Sequence, residues 1–157
     1  MIREDLKRDY EYLLWLLARR DYPEKKLREK LKSRAVTPEN CNVLLEELKE
    51  SGYFSEERFR KARARQLTRR GEGPRAIKAK VRSETGKDLS STEMDEVYSD
   101  LGTTDMHVLK IYLEKEFAKL TRSGRFEEKQ IKQKLIDRAM RKGFNYDQTK
   151  RVLLEIA

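Results

Sequence analysis

Cations are the residues best placed to do chemistry in this sequence. Arg58, Lys61, Arg65 and Arg69 recur at three- and four-residue intervals. At ~100° per residue they fall within about 80° of one another on a helix surface, with Phe59, Ala62, Gln66 and Leu67 to one side of the row. One flank can therefore pack while four cations face outward. Arg70 follows Arg69 before a Gly-Pro break, and beyond the break Arg75, Lys78 and Arg82 form a second row at i, i+3, i+7. Lys119, Arg122, Arg125 and Lys129 cluster across a later turn. Rows of this kind grip a phosphate backbone or an acidic protein groove, arginine through paired hydrogen bonds to either anion. The spacing fits both.

Residues for other chemistry are sparse. His107 is the only histidine and Cys41 the only cysteine, which leaves too few ligands for a zinc site and no partnered nucleophile for a histidine-based triad. Gly71-Glu72-Gly73-Pro74 lacks the spacing and the Lys-Ser/Thr of a phosphate loop, so it reads as a helix-breaking turn. The many carboxylates read as solvated partners of nearby Lys and Arg. Cys41 reads as a small buried filler and His107 as a surface or packed side chain. No catalytic, cofactor-binding or metal-ligating residue is assigned, and the chain is expected not to be an enzyme.

Helices must position these cations. Apolar residues recur at three- and four-residue spacing (Leu13, Leu16, Leu17; Leu27, Leu31; Leu44, Leu48) and no stretch alternates as a strand, so the chain reads all-α. One apolar template appears three times. Leu27 and Leu31, Ile77 and Val81, and Ile131 and Leu135 are i, i+4 pairs of a second helix. Val36, Leu89 and Phe144 then close a turn. Eight positions on stand Leu44, Val97 and Val152, and twelve on Leu48, Leu101 and Ile156. Immediately after each turn residue comes an N-cap type, Thr37, Ser90 or Asn145. Pro38 follows the first of these, and Glu93 makes a capping box with Ser90.

Long first helices are expected at roughly 3–20, 55–71 and 104–122, with Pro23 and Pro74 each opening a second helix. Thr121 to Arg125, with Gly124, makes the corresponding turn in the third unit. The expectation is therefore three tandem three-helix repeats, 1–53, 54–101 and 102–157, stacked into an elongated, curved array. The first-helix aromatics Tyr10, Tyr12, Trp15, Phe59, Tyr112 and Phe117 read mostly as packing residues.

Composition agrees with thin cores and an anionic partner. Of 157 residues, 41% are charged and 37% hydrophobic, and the formal net charge is +9. The surplus rises along the chain from +1 over 1–53 to +3 over 54–101 and +5 over 102–157. Between Arg58 and Arg82, 11 basic residues face Glu72 alone. Such a block attracts polyanions in a salt-dependent way. The longest apolar run, Leu13 to Ala18, is far short of the ~20 residues that span a bilayer. No signal peptide is expected from the charged first ten residues, and a single cysteine suits a reducing cytoplasm.

These features together resemble the RecX regulatory family. The resemblance rests on Leu17-Ala18-Arg19-Arg20-Asp21-Tyr22 before Leu27-x-x-Lys30-Leu31, on Gly52-Tyr53-Phe54-Ser55-Glu56-Glu57-Arg58-Phe59, and on Arg69-Arg70-Gly71-x-Gly73-Pro74-x-x-Ile77. The third repeat matches mainly as a pattern. The chain departs from the family at Ala35-Val36, where Gly-Phe is common, and in a longer 83–89 link.

The resemblance implies a non-enzymatic protein without cofactors that binds the RecA recombinase. It would lodge in the groove of the RecA filament on single-stranded DNA, block ATPase, strand exchange and co-protease activity, and favour disassembly. Arg58, Lys61, Arg65, Arg69, Arg70, Arg75, Lys78 and Arg82 are expected to carry the contact, extended by Lys119, Arg122, Arg125 and Lys129. The same surface is compatible with direct single- or double-stranded DNA binding, and a monomer is expected. Two other classes stay open. A DNA reader built of three-helix units would need base-reading third helices, yet these carry Glu46, Glu47, Glu50, Asp95, Glu96 and Asp100. A DNA-independent helical adaptor would use the basic face only for solubility.

Overall fold

A computed structural model of the chain describes residues 1–156. All regular structure among them is helical. A 3-10 turn over Glu4–Leu6 leads into α1 (Lys7–Arg19), followed by α2 (Glu24–Ser33), α3 (Pro38–Glu50), α4 (Glu56–Arg69), α5 (Pro74–Thr85), α6 (Ser91–Asp100), α7 (Asp105–Ser123), α8 (Glu128–Arg141) and α9 (Tyr146–Ile156). No described helix is long and apolar enough to cross a membrane.

Local chemistry sets the helix starts. The Thr37 hydroxyl accepts the Asn40 N–H at 3.2 Å, with Pro38 first in α3. Ser90 and Glu93 exchange bonds of 3.0 and 3.1 Å at the start of α6. Asn145 Oδ1 accepts the Asp147 and Gln148 N–H groups at 2.8 and 3.2 Å ahead of α9. Each bond satisfies a donor that the helix itself leaves orphaned. Pro74 opens α5 as expected, but Pro23 does not open α2: it is the residue before the helix, in an extended conformation. The Glu56 carboxylate supplies the cap instead, accepting the Glu24 N–H at 3.0 Å.

Helix ends repeat one device. After α3, α4, α6 and α8, Gly52, Gly71, Gly102 and Gly143 take positive φ. The following residue's N–H then returns to a carbonyl five back, for example Phe144 to Ala139 at 3.0 Å. This is the Schellman closure that glycine favours. The end of α2 makes the same closure, Val36 N–H to Leu31 O at 3.1 Å, but with Ala35 at φ 61°. An L-residue pays for that conformation with a contact between its Cβ and the following carbonyl.

The chain divides into two compact units: Met1–Ala62 with Ser83–Lys87, and Arg63–Arg82 with Asp88 onward. In the first, Leu13, Leu16, Leu27, Leu31, Leu44, Leu45 and Leu48 of α1–α3 close on one another, with Tyr22 and Phe54 at the edges. Cys41 is buried among them, and burial raises its thiol pKa. Tyr10 and Tyr12 pack against this core. Trp15 does not: it is 52% exposed, beside Tyr12 with ring centroids 6.2 Å apart, and the Arg19 guanidinium lies 4.1 Å from its ring.

The second unit holds two clusters. One comprises Ala64, Leu67, Ile77, Val81, Leu89, Met94 and Val97. The other is built by Leu109, Leu113, Ile131, Leu135, Ala139, Phe144, Val152 and their neighbours, with Tyr112 and Phe117 packed on it. The i, i+4 pairs of α2, α5 and α8 are buried throughout, as are Leu44, Val97 and Val152.

Backbone joins the α4–α5 turn to the α8–α9 turn. The Gly73 N–H donates to Lys142 O at 2.7 Å and the Arg75 N–H to Gly143 O at 3.1 Å. The Arg75 guanidinium donates to Phe144 O at 2.8 Å. The approach excludes side chains: a Cβ at Gly73 would stand 2.4 Å from Gly143 C, and one at Gly143 would stand 2.5 Å from Ala76 N. Glu72 sits alongside, 3.5 Å from Lys80 and 3.6 Å from Lys142.

Two stability outcomes follow from these turns. Ala35→Gly removes the left-handed penalty and gives back some unfolded-state entropy, so it should stabilise by about 1 kcal/mol. Thermal unfolding would show this as a midpoint raised by a few degrees, and an unchanged or lowered midpoint would contradict it. Gly73→Ala meets backbone rather than a movable side chain, so a loss of about 1–3 kcal/mol is expected in denaturant unfolding. Amide exchange at Gly73 and Arg75 should accelerate in that variant.

Candidate functional site

The cations of α4 fall in both units. In the first unit, Arg58 Nη2 donates to Gly52 O at 2.8 Å and Lys61 Nζ lies 3.6 Å from Glu57. In the second, Arg65 pairs with Asp100 at 3.3 Å, while Arg69 and Arg70 are exposed at the helix end. Among the described residues no carboxylate pairs with either of these two. Along α5, Lys78 and Arg82 are exposed, Arg82 lies 3.1 Å from Asp88, and Arg75 is committed to the backbone of the α8–α9 turn.

The second unit brings part of the expected set together. Arg69 and Arg70, from the end of α4, and Lys119, from α7, line one cleft of about 350 Å³. Arg122, Arg125 and Lys129 are exposed outside it. The cleft also takes in Lys115 and Lys142, which the sequence reading did not single out, and an apolar floor of Val108, Ile111 and Tyr112. Lys115 stands three residues after Tyr112 and four before Lys119, so a helical projection of α7 carried the signal. Lys142 carried none, because it arrives through the turn contact at Gly73.

Electrostatics of the cleft are one-sided. Its single carboxylate, Glu116, is already engaged by Arg138 at 2.7 Å and Lys119 at 3.7 Å. Tyr112 is half-buried and packs on Phe144 at 6.1 Å, with the Lys142 ammonium 5.9 Å from its ring. Burial raises the Tyr112 hydroxyl pKa, and the nearby Glu116 charge adds to it, so the phenol stays neutral and able to donate. Arg69, Arg70 and Lys115 remain as exposed donors over aliphatic surface. The cleft has charge and shape to hold an anion; it offers no nucleophile paired with a base.

Comparison with known proteins places the chain. No family model matches it. It is 32% identical over 90 residues to the regulatory protein RecX of Actinobacillus pleuropneumoniae serotype 5b (strain L20), a match covering 57% of this chain and 60% of that relative's length. It is 30% identical over 137 residues to the regulatory protein RecX of Halorhodospira halophila, covering 87% of this chain and 81% of the relative. The fold is similar to the crystal structure of RecX from Lactobacillus salivarius, with a TM-score of 0.79 and 16% identity over 98% of this chain and 97% of that one. A second crystal structure of a regulatory protein RecX aligns with a TM-score of 0.74 and 19% identity, covering 93% and 70% of the two chains. With the helical fold, the spacing of Arg69-Arg70-Gly71-x-Gly73-Pro74 and a near full-length relative in agreement, the chain belongs to the RecX family of regulatory proteins.

Proposed function

We propose that this protein regulates the RecA recombinase by binding its filament on single-stranded DNA. Binding suppresses ATP hydrolysis, strand exchange and co-protease activity by occupying the filament groove or destabilising the filament. The reading is supported most by similarity across 87% of the chain to a regulatory protein RecX. The protein acts through contact, without a cofactor and without catalysis of its own, as a monomer in the bacterial cytoplasm. Its helices form three tandem units, 1–53, 54–101 and 102–157.

Contact runs through the cations, which differ in availability. Arg69, Arg70, Lys78, Arg122, Arg125 and Lys129 are exposed. Arg58, Lys61, Arg65, Arg82 and Lys119 hold weak surface partners, which an external anion can displace at little cost. Arg75 contributes by holding the α8–α9 turn. Direct contact with single- or double-stranded DNA through the same cations belongs to this reading, because both components of the filament present anions.

The test is ATP hydrolysis by RecA on single-stranded DNA with this protein titrated in below one copy per RecA. A steep loss of hydrolysis is expected; full hydrolysis at equimolar protein would overturn the proposal. Arg69→Glu with Arg70→Glu should raise the concentration for half-inhibition by about tenfold or more. These side chains hold no intramolecular partner among the described residues, so thermal unfolding should move little.

A further inference from the structure

The cleft beside Gly71 selects among anions by what lies beneath its cations. We infer that it docks an acidic protein segment through an aliphatic anchor: carboxylates meet Arg69, Arg70 and Lys115, and a branched apolar side chain seats on Ile111. This deepens the proposed function, on which it rests for the identity of the partner as a protein surface rather than a nucleic-acid strand.

Charge complementarity establishes the sign. The cleft's one carboxylate is consumed by Arg138 and Lys119, while Arg69, Arg70 and Lys115 point to solvent. The floor establishes the class. Single strands are held by aromatic faces on which bases stack, in addition to cations along the backbone. Tyr112 is the one aromatic ring here, and Phe144 and Lys142 already engage it. What remains open is aliphatic: Ile111 is 43% exposed, beside Val108. An apolar surface rimmed by cations suits an acidic segment carrying an apolar residue, the usual hot-spot plan of a buried anchor within a polar rim.

The cleft holds its shape for this purpose. Gly71 turns the chain at φ 84°, and the backbone bonds from Gly73 and Arg75 hold the α8–α9 turn, with Lys142, against it. A preformed site loses less ordering free energy on binding than one assembled by the ligand.

The test uses the full chain and three fluorescein-labelled probes read by anisotropy. The first is a short Asp/Glu peptide with a central Leu pair, the second the same peptide with Gly in place of Leu, and the third an oligo-dT of matched charge. The Leu peptide should bind about tenfold tighter than its Gly counterpart, the effect of burying one such side chain. Ile111→Gln should abolish that preference and leave oligo-dT binding unchanged, while Arg70→Glu should weaken both peptides. Equal binding of the two peptides, or a preference that survives Ile111→Gln, would overturn the anchored site. Oligo-dT binding lost in Ile111→Gln would assign the cleft to a nucleic-acid strand instead. No recombinase is present in this titration. A peptide failure with intact inhibition of RecA sinks only the docking inference, and peptide binding without inhibition sinks only the regulatory reading.

Discussion

Three hydrogen bonds hold the second unit's turns against each other: Gly73 N–H to Lys142 O, Arg75 N–H to Gly143 O and the Arg75 guanidinium to Phe144 O. They matter because of where the acceptors sit. Lys142, Gly143 and Phe144 follow α8, whose own last carbonyls are met by the turn's N–H groups, so the carbonyls of the turn itself are left for Gly73 and Arg75, at a helix end where the dipole favours a cation. The two backbones come so close that neither Gly73 nor Gly143 has room for a Cβ, so the geometry requires glycine on both sides. Remove either glycine and Lys142 leaves the wall of the cleft that Arg69 and Arg70 flank.

That contact also explains how a block so rich in positive charge stays folded. Between Arg58 and Arg82 only Glu72 is acidic, and it lies between Lys80 and Lys142 rather than against the exposed row. It pairs with two lysines near the turn and leaves the ends of Arg69 and Arg70 unopposed. Exposed pairs such as Arg65–Asp100 and Arg82–Asp88 add little stability of their own. Their acids come from α6 and the segment before it, which spreads the repulsion without covering the cations. The buried residues beneath, Ala64, Leu67, Ile77, Val81, Leu89, Met94 and Val97, are mostly small or branched aliphatics that let α4, α5 and α6 approach closely.

Much of this was legible in sequence because it is local. The Thr37, Ser90 and Asn145 caps, the i, i+4 pairs and the Gly-rich helix ends depend on residues within one turn of each other, and a linear reading samples that range. Pro23 misled by one position because its own extended conformation could be capped from Glu56, a residue far along the chain. Trp15 misled because periodicity assigns a residue to a face without saying what covers that face. It stands outside the first core, with Arg19 over its ring. The cleft was half legible: Arg69, Arg70 and Lys119 stood out as charge. Lys115 and Ile111 needed a projection of α7 that weighed apolar neighbours, and Lys142 needed the Gly73–Gly143 approach, which no single segment encodes.

The split between what holds the site and what the site attracts has a physical consequence. The bonds between the two turns are mainly backbone amides meeting carbonyls at close range, neutral groups with no net charge for salt to screen. The cations that would meet a partner are exposed, and at physiological ionic strength their fields decay over about 8 Å. Salt therefore acts on the encounter and leaves the scaffold alone, so affinity can be tuned without cost to the fold. An anchor on Ile111 complicates that simple dependence in a useful way. Its contribution comes from removing apolar surface from water, which added salt does not screen, so it persists where the ionic part fades. A partner offering charge alone would be released as salt rises, and one offering charge with an apolar residue would be retained longer. Selectivity among the many polyanions of a cell then rests less on the cations, which any of them can satisfy, than on the aliphatic surface between them.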